Sequence, residues 1–509
     1  MRADPDGDNR DVRYRTAAGT VVGAVVLAVL GALMGPQWSP VPLTDPLTVQ
    51  TSATAITGAV EAGPYPVRAS VLTVALDGAD VDAQLLMPVG VEGDVPAVVF
   101  VHGAGTGKFT DAFLDQARSL AEHGVATLVP DKRLDTYTLR HRDYVEMAGD
   151  YLRSVDRLRR VDGVDPARVG VYAESEGAWI APVMAADEPG IAFVVLASAP
   201  VVPPRQQAAF AVDSYLRNTG VPQQVFRAIP RAVGMSLPGG GLDYADFDVA
   251  PYQRRMTQPV LVVYGTADAS MPVVQGAEQI IRDLAIAGNT QYTVRYYRGA
   301  DHGIRVDEIV APAFLDDLSG WVLGLPATGA AYPRIAGDQP SQLYWAGPVP
   351  QPRWLGDGDV LLVLVAGAVG LLVLLPAGRL AVVGVQHLRG REPGPGRDRT
   401  LTRRLALLSG ASVATVVALV WYLVEVARLA VGYERNGWIV QGGWIAVRVL
   451  GLVAVYAAAA VVVRLRRLRR AGEPMAHGVL GHVVLWGTCA ASAALLVVLA
   501  YWGVYQLGI

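Results

Sequence analysis

Apolar positions along this chain fall into two kinds of run, and their lengths divide it. In the middle lie short runs at residues 96–101, 169–172, 193–197, 259–264 and 292–297, bounded by glycine, proline and polar turns. They read as continuous stretches rather than alternating ones, which suits strands of a parallel sheet buried on both faces. Toward the ends lie long runs: 17–34, then about 360–384, 405–430, 443–463 and 479–505. Each is long enough to cross the roughly 30 Å hydrocarbon core of a bilayer as a helix. Hiding such runs inside a soluble core would require covering them on all sides. The pattern therefore predicts a central α/β domain, an N-terminal transmembrane anchor and a C-terminal four-helix transmembrane module.

Three of the strand ends carry side chains suited to one reaction. After 169–172 the chain reads Ala173-Glu-Ser-Glu-Gly177 and opens a helix at Ala178. Small residues on both sides of Ser175 let strand and helix backbones approach closely enough for a strained corner that lifts the serine above the sheet. The run 259–264 ends in a polar turn carrying Asp268, and 292–297 leads to a turn presenting His302. Open α/β sheets collect their active residues at this edge. A serine hydroxyl is a poor nucleophile until a neutral imidazole takes its proton, and a carboxylate fixes the imidazole tautomer. Upstream, 96–101 is followed by His102-Gly-Ala-Gly-Thr-Gly107, whose glycines let N–H groups converge on one point. There the Ala104 N–H would form one half of an oxyanion hole and the Glu176 N–H the other. This chemistry requires no cofactor and no metal.

Taken together, residues 68–325 resemble a bacterial α/β-hydrolase of the dienelactone hydrolase and prolyl-oligopeptidase-like serine hydrolase branch. The matching pieces are His102-Gly-Ala-Gly105, Asp131-Lys-Arg133, Ser175-Glu-Gly177, Gly265-Thr-Ala-Asp268 and Asp301-His-Gly303. Alanines 173 and 178 stand where the family carries glycine, and Leu134 where a glycine follows Asp-Lys-Arg. The resemblance implies an α/β-hydrolase sandwich with a mostly parallel sheet, and a serine esterase acting through an acyl-enzyme. It also implies that an insertion at about 201–258 caps the site. Within it, residues 205–218 have a helical pattern and Leu237-Pro-Gly-Gly-Gly241 is a breaker. A prolyl-oligopeptidase-type peptidase is the nearest other reading, weakened by the lack of propeller repeats. A non-enzymatic hydrolase-like sensor on a membrane bundle is the reading from another class.

Other candidates have plainer roles. Glu174 and Glu176 flank Ser175 in an extended turn and point to opposite sides, which argues against a shared carboxylate pair. Glu176 reads as structural, paired with a nearby arginine. His123 ends a helix before a strand and reads as a C-terminal cap, and His102 as a turn-stabilising residue. Glu425, Arg428 and Arg448 lie near the outer ends of two spans, where Glu425 is expected to pair with either arginine.

Composition and charge set the surroundings. The chain is 52% hydrophobic, 17% charged and carries a net charge of −3, which argues against a nucleic-acid partner. Arg10, Arg13 and Arg15 precede the first span; Arg389, Arg391, Arg397, Arg399, Arg403 and Arg404 follow the second; Arg464, Arg466, Arg467, Arg469 and Arg470 follow the fourth. By the positive-inside rule these segments are cytoplasmic, and the loop at 433–443 and the central domain are external. The first span lacks a small-x-small cleavage site, so an uncleaved anchor is expected. The single cysteine, Cys489, rules out an intramolecular disulfide and reads as a packing residue. The expected layout is a tail and anchor at 1–35, an extended linker at 36–67, the hydrolase domain at 68–326, a Pro-rich linker at 327–359 and the four-span module at 360–509. The expected setting is a bacterial plasma membrane, with a small-molecule or lipid-like ester as substrate.

Overall fold

The computed structural model describes residues 5–390, 398–432 and 434–506. Arg391, Arg397 and Tyr433, on which part of the orientation reading falls, lie outside the described residues. The chain forms two compact units. One comprises Ser39–Ala211 and Leu242–Pro348; the other comprises the N-terminal segment to Trp38, Val212–Gly241 and the chain from Val349 onward.

The first unit is built on one sheet. Its strands are β1 (Val67–Ala75), β2 (Asp80–Pro88), β3 (Val95–Val101), β4 (Ala126–Pro130), β5 (Val164–Glu174), β6 (Val194–Ala197), β7 (Val260–Gly265), β8 (Tyr292–Tyr297) and β9 (Ile335–Gly337). The spatial order is β1-β2-β4-β3-β5-β6-β7-β8-β9. β2 runs antiparallel to both neighbours, and every pair from β4–β3 to β8–β9 is parallel. This order, with its antiparallel edge and parallel centre, is that of the α/β-hydrolase fold.

The central strands are apolar throughout because both faces are covered. Val99, Val171, Val194 and Val262 pack into one core layer, and Val98, Tyr172, Val195 and Leu261 into the layer on the other face. Alternate residues thus fill opposite layers, as the two-residue period of a strand demands. β1, at the sheet edge, is largely exposed, while β2 beside it is mostly buried over its second half, and the mixed composition of both hides them among the apolar runs.

Both segments expected to be extended tethers contribute to this unit. The Gln50 N–H donates to Ile335 O at 2.8 Å, and Gly337 N–H to Thr51 O at 2.9 Å, while Ile335–Gly337 adds itself to the sheet. The proline content of 327–359 hid a strand this short.

The second unit holds five helices long and apolar enough to cross a membrane. They are α1 (Pro5–Met34), α2 (Gly358–Leu388), α3 (Arg399–Val431), α4 (Gly443–Arg470) and α5 (Gly478–Tyr501). α1 packs against α4 and α5 and so joins the bundle rather than standing apart as a lone anchor. Its glycines permit this. A Cβ at Gly23 would sit 3.0 Å from Val455 Cγ1, and one at Gly31 only 2.1 Å from Ala500 O. Small residues at four-residue spacing are how apolar helices approach closely in lipid. The insertion expected at 201–258 is divided, and its portion Val212–Gly241 belongs to this unit. There Arg231 is fully buried, donates to Gly31 O at 3.2 Å and lies 5.0 Å over the Tyr501 ring. Arg448 donates to Gln506 O at 2.8 Å, while Glu425 pairs with Arg428 at 3.3 Å.

Candidate active site

The serine corner is strained as its sequence suggests. Ser175 has φ 56°, in the left-handed region that non-glycine residues enter only under constraint. Its own N–H donates to Ala197 O at 3.1 Å, so the end of β6 holds the corner in register. Gly177, which opens the helix Gly177–Asp187, must be glycine because a Cβ there would lie 2.5 Å from Val101 O. Ala173 and Ala178 are fully buried, so the corner accommodates a methyl group at both positions.

Asp268 and His302 are brought together: His302 Nδ1 lies 2.9 Å from Asp268 Oδ2. Ser270, which the sequence reading did not single out, donates to Asp268 Oδ1 at 2.6 Å and stands 3.1 Å from His302 Nδ1. Ser198 secures the other side, its hydroxyl donating to His302 O at 2.7 Å. The Asp268 side chain has no exposed surface, whereas His302 keeps a third of its own exposed. Among the described residues, no hydrogen bond joins Ser175 Oγ to His302. The serine follows β5, and Asp268 and His302 follow β7 and β8, so all three lie past the C-terminal ends of parallel strands of one sheet. Such catalytic bonds are often long without substrate and tighten when it binds.

Electrostatics suit a carboxylate and an imidazole that acts as base. Burial pushes the Asp268 carboxyl up, but the His302 charge and the bonds from His302 and Ser270 outweigh it and hold its pKa below the ordinary value. Burial pushes His302 down, but Asp268, Glu174 and Asp301 outweigh that and raise its pKa. Glu174, bonded to Tyr172 Oη at 3.3 Å, therefore acts on the imidazole from outside the Asp268 pair. An enzyme needing neutral His302 would lose kcat/KM as pH falls through a midpoint above the ordinary histidine value of about 6.5. Replacing Glu174 by Gln removes a charge that raises that midpoint, so the acid limb should move to lower pH. A pH–rate profile of the variant checks this, and an unmoved limb would contradict it.

The two proposed oxyanion donors share one anchor. Gly103 lies directly against the corner, since a Cβ there would sit 3.2 Å from Ser175 Cβ. Lys132 Nζ donates to Gly103 O at 2.6 Å, the carbonyl of the peptide unit whose N–H is that of Ala104. The same ammonium lies 3.1 Å from Glu176 Oε2. Among the described residues, neither the Ala104 N–H nor the Glu176 N–H donates to a protein acceptor.

The Glu176 carboxylate is fully occupied: Arg142 at 2.5 Å and Tyr144 at 3.3 Å on Oε1, Tyr137 at 2.9 Å and Lys132 on Oε2. Its partners are not shared with Glu174, which accepts from Tyr172, and Arg142 is the nearby arginine expected to pair with it. Burial pulls the Lys132 pKa below the ordinary lysine value despite the attraction of Glu176. Asp131 fixes the loop from the other end, accepting from Lys108 and from the Phe109 N–H at 2.9 Å.

His102 is no base. Its Nε2 is bonded to Pro130 O at 2.7 Å, and burial lowers its pKa to about 4. His123 caps its helix, with Nδ1 2.7 Å from Ser119 O. Cys489 is half-buried in α5. Among the described residues, no group of three His, Cys, Asp or Glu side chains is placed to hold a metal ion.

The chain is similar in fold to several solved structures. A dienelactone hydrolase of Klebsiella pneumoniae is 18% identical, with a TM-score of 0.36, over 50% of this chain and 95% of its own. An esterase of Pyrobaculum calidifontis is 17% identical, with a TM-score of 0.38, over 51% and 84%. Est1E of Butyrivibrio proteoclasticus is 17% identical, with a TM-score of 0.34, over 50% and 95%. No curated protein matches the chain. Residues 143–307, the stretch that carries Ser175, Asp268 and His302, match the family model described as BAAT / acyl-CoA thioester hydrolase C terminal.

Proposed function

We propose that this chain is a membrane-anchored serine hydrolase that cleaves acyl esters or thioesters through an acyl-enzyme. The observation that carries the proposal is the buried Asp268 bonded to His302 on the same strand edge as a strained Ser175. His302 Nε2 takes the Ser175 proton as Oγ attacks the acyl carbon. The oxyanion forms against the Ala104 and Glu176 N–H groups, each worth roughly 3–4 kcal/mol by mutational precedent. The proton then passes to the leaving alcohol or thiol, whose bond to the acyl carbon breaks. Water, deprotonated by the same imidazole, releases the acid and restores the serine. Asp268 holds the Nδ1–H tautomer and stabilises the imidazolium, and Ser270 holds Asp268.

The thioester half of the reading is supported by the family model over 143–307. The test is a substrate series on the full chain in detergent: p-nitrophenyl butyrate, a short acyl-CoA and glycyl-prolyl-p-nitroanilide. Ester and thioester turnover is expected to exceed amide turnover at least a hundredfold in kcat/KM. The opposite order would replace this reading with a peptidase.

The membrane part of the proposal is supported by five apolar helices and by arginines at the ends that the positive-inside rule places in the cytoplasm. It sets the catalytic domain outside a bacterial plasma membrane. On a Cys489→Ala background, Asp94→Cys should react with an impermeant maleimide in whole cells, and Glu473→Cys should not. The reverse pattern would overturn the orientation.

A further inference from the structure

The bundle of apolar helices carries a groove that the hydrolase chemistry does not use. It lies between α1, α4 and α5 and encloses about 920 Å³, within the range of roughly 300–1,000 Å³ usual for small-molecule sites. Its walls are apolar, valine and leucine interspersed with small residues such as Gly19, Gly23, Ala458 and Ala493. One end differs. There Tyr14 and Arg15 of α1 meet Arg466, Arg467 and Arg470 at the close of α4. Among the described residues, no carboxylate lies within ion-pair distance of Arg466 or Arg470, and both are exposed. This separates them from Arg464, which is held by Asp398 at 2.8 Å.

The dimensions fit one leaflet. From Arg15 to Leu27 the α1 wall rises about 18 Å at 1.5 Å per residue, and the α4 wall from Arg467 back to Val455 rises equally. Half of a roughly 30 Å hydrocarbon core is about 15 Å. A ligand laid along the groove thus has its charged end among the arginines and its apolar end near the bilayer midplane.

We propose that this groove binds an anionic phospholipid of the arginine-side leaflet, with the headgroup phosphate on Arg466 and Arg470 and an acyl chain along Gly19, Gly23 and Ala493. The inference rests on the membrane-spanning part of the proposed function and not on the serine chemistry. Charge complementarity selects the occupant. A neutral lipid gains only the apolar wall, while an anionic headgroup also meets guanidinium donors.

Native mass spectrometry of the full chain in detergent, titrated with phosphatidylglycerol or phosphatidylcholine of equal acyl length, tests it. Wild type is expected to hold one phosphatidylglycerol at least tenfold more tightly than phosphatidylcholine, and inorganic phosphate at equal concentration should not displace it. R466Q/R470Q should abolish the preference, R466K/R470K should keep most of it, and Ala493→Trp, which fills the groove, should weaken both lipids. Turnover of a soluble ester should be unchanged in all three variants. Equal binding of the two lipids by wild type, or an undiminished preference in R466Q/R470Q, would overturn the proposal. A wild type that binds phosphatidylglycerol selectively but hydrolyses no ester would overturn the serine hydrolase reading and leave this one standing.

Discussion

Ser175→Ala is expected to reduce hydrolysis of p-nitrophenyl butyrate by roughly 10⁴-fold or more, because members of a nucleophile–base unit fail together. The residual rate would come from the oxyanion donors alone. His302→Ala should fall to the same level, and the double variant no further, since each removes the same proton transfer. The fold should survive, because among the described residues Ser175 Oγ makes no hydrogen bond and the substitution relieves no packing. A left-handed alanine at φ 56° costs about 1–2 kcal/mol more than glycine would, a penalty the serine already bears. Turnover is read directly in detergent, and wild-type turnover by Ser175→Ala would end the mechanism.

The second large effect is on stability. Glu176→Ala strips the common partner from Lys132, whose side chain is 1% exposed, and from Arg142, at 15%. Leaving buried charges uncompensated costs about 3–5 kcal/mol, more than the ion pair itself contributes. The loss should appear as a clear fall in the thermal unfolding midpoint. It should also appear as lower kcat, since Lys132 would no longer be fixed between the Gly103 carbonyl and the corner. Glu176→Gln keeps acceptors for Tyr137 and Tyr144 and should lose less. A midpoint unchanged in Glu176→Ala would show that water already screens this cluster.

The central strands and the three turns they lead to could be read from sequence because a buried parallel strand must be apolar along its length and must stop at a turn. The observed strands Val95–Val101, Val260–Gly265 and Tyr292–Tyr297 coincide with apolar runs to within a residue or so. What the sequence concealed follows from the same physics. β1 is largely exposed and β2 is interrupted by polar residues, so neither carries a continuous run. Ile335–Gly337 is a strand only because β8 offers it an edge.

The partners of Glu176 come from Lys132, Tyr137, Arg142 and Tyr144, which no local spacing links to residue 176. Asp131-Lys-Arg133 was visible as a motif, but its work, fixing the Gly103 peptide, required the fold. Ser270 stood in plain view two residues after Asp268, and the Asp-x-Ser spacing, which lets a hydroxyl turn back onto its neighbour's carboxylate, was the available signal. In α1, Gly19 and Gly23 form a small-xxx-small pair that marks a packed helix rather than a lone anchor, and Gly31 extends the same face. Nothing local in 212–241 marks a segment packed among apolar helices, and the burial of Arg231 against Tyr501 shows that packing only in three dimensions.

The central claim is that Ser175 is an activated nucleophile, and covalent labelling tests it most directly. The full chain in detergent, incubated with a fluorophosphonate probe and digested, should yield one phosphonylated peptide, the one carrying Ser175. Labelling should slow as pH falls through the His302 midpoint and disappear in Ser175→Ala and His302→Ala. A wild-type chain that is folded but takes no label, or takes it on a residue other than Ser175, would contradict the account and leave the domain as a binding module.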